Sequence, residues 1–186
     1  MPAWSDVVMP DVVVPDAVDP SLAVRLFADA DAGPLTALLH AAYAELGERG
    51  LNYTAVDQDV ATTRVRARAG RCWVVEDDGE LVGTATVSLP PSRGLQALSE
   101  HARAPRRAWL NQLAVAPDRR RRGIAARLWA LGRQWAREAG ATSIGVDTAV
   151  PAAHLVRLYA SWGFEHHEVV RWAGKTYDSA VMVRPL

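Results

Sequence analysis

The chain has one cysteine, Cys72, and one lysine, Lys175, against 20 arginines, and its formal net charge over 186 residues is zero. A single cysteine excludes an intramolecular disulfide and fits a reducing compartment, so a cytoplasmic location is expected. Cys72 sits beside Trp73-Val74-Val75, where a buried structural thiol is favoured over a nucleophile. Zero net charge speaks against a general nucleic-acid binder, which carries a basic excess across one face. No run is long and apolar enough to span a bilayer. Met1 to Pro20 hold four aspartates and four prolines but no Lys or Arg. They lack the basic start and unbroken apolar run of a secretory signal, and are expected to form an acidic, flexible or loosely docked leader. His166 and His167 are adjacent and so face opposite sides of a strand. With one cysteine besides, no zinc set is expected, and no metal.

What remains suits a single domain over residues 21–186, large enough to bury a proper core. The composition, 49% apolar and 23% charged, is that of a globular protein. Its organising stretch is Leu110 to Gly140. Ala108 to Val115 reads as a strand ending at Ala116-Pro117. Ile124, Leu128, Leu131 and Trp135 then recur at the spacing of one helical face, and Gly140 closes that helix. Between them lie Arg119, Arg120, Arg121 and Arg122, followed by Gly123. A helix start is already positive and has four unpartnered backbone N–H groups, so stability alone would favour Asp or Glu there. Four arginines and a glycine that admits close approach fit an anion docked at the helix start. The competing reading is a solvated basic turn in an arginine-rich chain.

The other elements follow from pattern. Ala23 to Phe27 reads as a first strand. Leu35, Leu38, Leu39, Ala42, Tyr43 and Leu46 mark a helix ended by Gly47 and Gly50. Leu51-Asn52-Tyr53 leads to Asp57, expected to cap a second helix reaching Ala69. Cys72–Glu76 and Leu81–Leu89 form a hairpin about Asp77–Glu80. Pro90 to Arg107 is a polar loop with little pattern, placed either over a ligand site or as a surface excursion. Ala141–Val146 is a strand and Pro151–Ser161 a helix. Glu165–Trp172 and Tyr177–Val183 are a strand pair turning at Ala173-Gly174-Lys175.

Arg120-Arg121-Arg122-Gly123-Ile124-Ala125 resembles the Q/R-x-x-G-x-G/A signature of the GNAT superfamily of N-acetyltransferases. It lies in the matching setting, after a strand ending Leu113-Ala114-Val115 and before a long helix. Leu158-Tyr159-Ala160-Ser161-Trp162-Gly163-Phe164 resembles that family's L-Y-x-x-x-G-F segment. The resemblance spans Ala23 to Leu186. It implies an α/β (α+β layered) fold: a mixed, mostly antiparallel sheet of about seven strands, with splayed central strands and about four flanking helices. It also implies acetyl-coenzyme A as cosubstrate, held by Leu113, Ala114, Val115 and by Arg120, Arg121, Arg122, Gly123, Ile124, Ala125 and Ala126. Tyr159 would be the general acid that protonates the departing thiolate. It could also be a core residue with a satisfied hydroxyl.

The first two helices of that fold wall the acceptor site, so Tyr43, Asn52 and Tyr53 become candidate substrate contacts, joined by Trp109 and Asn111 from the strand. Tyr43 as core and Tyr53 as loop anchor are equally compatible. Two positions depart from the family. Where many relatives carry a strand glutamate, this chain has Trp109, Asn111 and Gln112, none of which titrates. Deprotonation would then use a water held by Asn111 or main-chain carbonyls, or Glu100, His101 or His154. Ala152 replaces an asparagine that often contacts the pantetheine arm. The expected activity is direct acetyl transfer to a small-molecule amine: an amino acid, polyamine or antibiotic-like compound. A protein or peptide acceptor is the alternative, as is a catalytically weak acyl-coenzyme A-binding sensor or interaction module. Neither nucleic acid nor membrane is expected as partner. The seven tryptophans leave apolar surface for a homodimer, but serve equally as core.

Overall fold

A computed structural model describes residues 22–186, so the acidic leader lies outside the described residues. Seven strands form one sheet. They are β1 (Ala23–Leu26), β2 (Arg71–Asp77), β3 (Glu80–Ser88), β4 (Arg107–Val115), β5 (Ser143–Ala149), β6 (Glu165–Val170) and β7 (Ser179–Pro185). Their order is β1-β2-β3-β4-β5-β7-β6, and every neighbouring pair is antiparallel except β4–β5. The helices are α1 (Ala32–Glu48), α2 (Thr54–Asp57), α3 (Val60–Arg68), α4 (Arg93–Leu98), α5 (Ile124–Glu138) and α6 (Ala153–Ser161). Four of them, α1, α3, α5 and α6, run to nine residues or more.

β2 shows why the sheet lies at the centre. Its run Cys72-Trp73-Val74-Val75 is buried throughout, as expected of a strand covered on both faces. Trp73 and Val75 join the cluster under α5, with Ile124 and Leu128. Cys72 points the other way, into the cluster of Leu35, Leu39 and Ala67 from α1 and α3. Burial raises the Cys72 thiol pKa, and the sulfur lies 3.6 Å from Thr84 Oγ1, which makes it a packed, unreactive thiol. Hairpin β2–β3 turns on Asp78 and Gly79, both at positive φ (50° and 83°), the geometry of a two-residue type I′ loop.

Two expectations are corrected. Residues Thr54 to Arg68 form two helices broken at Gln58 (φ −60°, ψ 141°). The N-cap of the second is Asp59, not Asp57: its carboxylate accepts from Thr62 N at 2.7 Å. The break lets the Gln58 side chain turn inward to donate to Thr63 Oγ1 at 2.7 Å. The stretch 90–107 is not patternless either. Ser92 Oγ accepts from Leu95 N and caps α4, and Leu95 and Ala102 are buried against Trp109 and Val181. Strand ends also shift: β5 runs three residues beyond Val146, and β6 stops at Val170.

The feature that creates a site is the join between the two halves of the sheet. β4 and β5 pair only over Arg107–Trp109 with Ser143–Gly145. Beyond Trp109 the strands part. A bulge accompanies the parting: Thr84 faces Ala114 while Thr86 faces Asn111, so Gln112 and Leu113 oppose one residue of β3. Gln112 takes φ 49°, the local twist such bulges introduce.

Candidate active site

The parted strands open onto a cavity of about 680 Å³, within the range of small-molecule sites. Leu110 to Leu113 of β4 and Val146 to Thr148 of β5 form two of its sides. Tyr43 and Tyr53 stand in the fork. The Tyr43 hydroxyl donates to Leu113 O at 3.2 Å, on the β4 side. The Tyr53 hydroxyl meets Thr148 Oγ1 at 2.9 Å and accepts from Ala149 N at 2.8 Å, on the β5 side. Their rings lie 5.4 Å apart. Both tyrosines therefore line the cavity and anchor strands at once. Burial pushes the Tyr43 phenol up to about 12 and also raises Tyr53, so both stay neutral.

Tyr159 of α6 reaches the same cavity. Its ring packs edge-on against Trp162 and Phe164, each at 5.9 Å, and the residue is 6% exposed. No hydrogen bond to its hydroxyl occurs among the described residues. Burial holds its pKa well above the ordinary phenol value, with smaller contributions from Tyr43 and Tyr53.

The other expected contacts divide. Asn111 lines the cavity, its amide donating to Ser88 Oγ and to Trp109 O. Trp109 does not line it. Its side chain is fully buried, lying flat over Gly145, where an added Cβ would come within 2.1 Å of the ring. Gly145→Ala is accordingly expected to destabilise the fold by about 1–3 kcal/mol. A denaturant midpoint equal to wild type would refute this packing. Asn52 is exposed and ties loops together, donating to Gly174 O and accepting from Thr176 N, each at 2.9 Å. Glu100, His101 and His154 do not line the cavity; the His101 ring instead lies tilted against His167 at 4.6 Å.

Sequence reasoning missed Asp147. It lines the cavity and accepts from Trp109 Nε1 at 2.9 Å and from Trp172 Nε1 at 3.0 Å. The available signal is a lone acid in the run Ile144 to Val150, which falls outside a strand ending at Val146 but inside the observed β5. Ala152 is fully buried beside Ala149 and Tyr177, so that position packs. Among the described residues no group of three His, Cys, Asp or Glu side chains is placed to hold a metal.

The basic turn sits where β4 leads into α5. Arg121 (φ 63°) and Gly123 (φ 77°) are left-handed, and Gly123 is an N-cap without a side-chain cap. The first helical bond is Arg127 N to Gly123 O, so the Ile124, Ala125 and Ala126 N–H groups lack helical acceptors. This concave run of amides at a positive helix end fits a pyrophosphate. The arginine side chains do less than their number suggests. Arg119 and Arg122 both bond Asp77 Oδ2, at 3.0 and 3.4 Å, and Arg120 reaches Glu45 at 3.4 Å. Only Arg121 has no carboxylate partner among the described residues.

The chain belongs to the acetyltransferase (GNAT) family, whose model matches residues 35–164. It is an N-acetyltransferase of the family that uses acetyl-coenzyme A. It is 25% identical over 146 residues to the S-(2-succino)cysteine N-acetyltransferase of Bacillus subtilis, covering 75% of this chain and 82% of that protein. Its fold matches the ribosomal-protein-S18-alanine N-acetyltransferase of Escherichia coli (TM-score 0.66, 15% identity, 88% of this chain and 93% of that one). It also matches Ard1 of Thermoplasma volcanium (TM-score 0.68, 17% identity, 89% and 98%). No helix among the described residues is long and apolar enough to cross a membrane.

Proposed function

We propose that the protein transfers an acetyl group directly from acetyl-coenzyme A to the amine of a small molecule. One observation carries the choice of a small acceptor over a peptide. The α1–α2 loop is fastened to the β6–β7 connection by Asn52 to Gly174 O (2.9 Å), Lys175 Nζ to Asn52 O (2.6 Å) and Thr176 Oγ1 to Gly50 O (2.7 Å). A peptide acceptor needs an open exit for its continuing chain, and these bonds bridge the two loops beside the cavity. The Bacillus subtilis relative, named for a small-molecule acceptor, supports the same reading.

Each residue then has a task. The amides from Gly123 to Ala126, with Arg121, hold the pyrophosphate. The edge of Leu113 to Val115 that β5 leaves uncovered orients the pantetheine arm, and its donors stabilise charge developing on the thioester oxygen. A donor of that type contributes about 3–4 kcal/mol. The acceptor amine loses one proton and attacks the carbonyl carbon. As the C–N bond forms and the C–S bond breaks, Tyr159 gives its proton to the departing sulfur, and the amine's second proton restores the phenol. The products are the amide, coenzyme A and one proton. Direct transfer is supported by the placement of Cys72, the one cysteine, which is buried and does not line the cavity.

An amine panel read by free-thiol release tests this. Acetyl-coenzyme A-dependent thiol release with a small amine, and a product heavier by one acetyl group, is the expected result. Acetylation of peptide N-termini alone would overturn the small-molecule reading.

A further inference from the structure

The cavity holds charged side chains that form no ion pair among the described residues. Arg66, Lys175 and Asp147 all line it. The Arg66 Nη1 donates to a neutral partner, Gln58 Oε1. Lys175 Nζ donates to two neutral oxygens, Asn52 O at 2.6 Å and Thr54 Oγ1 at 3.1 Å. Neither cation has a carboxylate within ion-pair distance among the described residues. Among the described residues Asp147 is held by two indole N–H groups, at 2.9 and 3.0 Å.

An orphan donor lies on the far side of Gln58, the partner of Arg66. Gln58, which accepts from Arg66, donates through Nε2 to Gln112 Oε1 at 3.3 Å. Gln112 Nε2 is buried without a partner among the described residues, in a residue that is 6% exposed and lines the cavity. A buried donor without a partner is a rare feature that calls for an acceptor. A guanidinium has five donors in a fork matched to carboxylate oxygens, and here one is used by Gln58.

We propose that the acceptor amine also carries carboxylates: an acidic amino acid or similar compound, whose carboxylates sit at Arg66 and Lys175 and whose amine sits on the Asp147 side. The charge count fits. Two cations and one anion on the protein complement two carboxylates and one ammonium. A polyamine would bring only positive charge to a cavity with a cationic excess. Burial, and for Lys175 the neighbouring Arg66, lowers the pKa of both cations, which a bound carboxylate would offset. This rests on the acetyltransferase reading of the same cavity.

The test compares matched acceptors under acetyl-coenzyme A: L-aspartate, L-glutamate and S-carboxymethyl-L-cysteine, each beside its fully amidated form, with putrescine and spermidine. A carboxylate-bearing member is expected to be preferred by about 10- to 100-fold in kcat/KM, the worth of charge-assisted hydrogen bonds. Arg66→Gln and Lys175→Met should each erase most of that preference, cutting the rate on the carboxylate compound far more than on its amidated form, with acetyl-coenzyme A affinity by calorimetry within about twofold. The proposal is overturned if putrescine, spermidine or the amides are the best acceptors, or if both variants lose carboxylate and amide substrates equally. If acetyl-coenzyme A binds but only uncharged or cationic amines are acetylated, this inference alone falls. If acetyl-coenzyme A neither binds nor releases thiol with any amine, the acetyltransferase reading falls with it.

Discussion

Tyr159→Phe is expected to lower kcat about 10²- to 10⁴-fold, the usual contribution of a positioned general acid. The substitution is informative because the ring and the hydroxyl have separate surroundings. Phenylalanine keeps the edge contacts to Trp162 and Phe164 at 5.9 Å, so the thermal midpoint should move little. The hydroxyl has no protein partner among the described residues, so its loss orphans no other group. Acetyl-coenzyme A affinity should be nearly unchanged. The sign of the pH dependence follows from the raised pKa. A phenol with a raised pKa is protonated at every pH below that raised value, so Tyr159 remains a competent acid through pH 10. Wild-type kcat should therefore show no alkaline fall due to this residue, and its rise on the acid side belongs to the amine. A kcat for Tyr159→Phe within about threefold of wild type would remove the residue from the chemistry.

The second large effect is expected at the helix start. Gly123→Glu should abolish acetyl-coenzyme A binding in a calorimetric titration. Two costs act together there. Position 123 sits at φ 77°, where a residue with a Cβ loses about 1–2 kcal/mol. The new carboxylate also enters the place proposed for the pyrophosphate, within reach of the Ile124 and Ala125 amides. Gly123→Asn separates the two, because asparagine tolerates the left-handed region and adds no charge. It should remain folded and bind more tightly than the glutamate variant. Binding by Gly123→Glu at wild-type affinity would place the anion elsewhere.

The sequence made the strand–turn–helix at Leu110 to Gly140 legible because periodicity and glycine placement there obey local rules. The left-handed Gly123 and Gly140, at 77° and 85°, are local as well. Charge at the turn was legible only in part, for a physical reason. The excess of arginine at the turn is visible in the sequence, but Asp77 and Glu45, which pair with three of the four, are distant in the chain. Choosing Asp59 over Asp57 as a cap required knowing that Gln58 must turn inward to meet Thr63, Arg66 and Gln112. Helix α4 escaped notice because six residues carry too short a period to register. Asp147 and Arg66 are the costliest omissions. They matter through what they face across a cavity, and no spacing rule encodes that.

The tyrosine pair in the fork also bears on how fast the protein works. With Tyr43 bonded to Leu113 and Tyr53 to Thr148 and Ala149, β4 and β5 cannot zip together past Trp109. The slot is a standing opening, not one that must be wedged apart at each turnover. Capture should then follow one exponential whose rate climbs linearly with cosubstrate concentration, without the plateau that a slow prior opening step would impose.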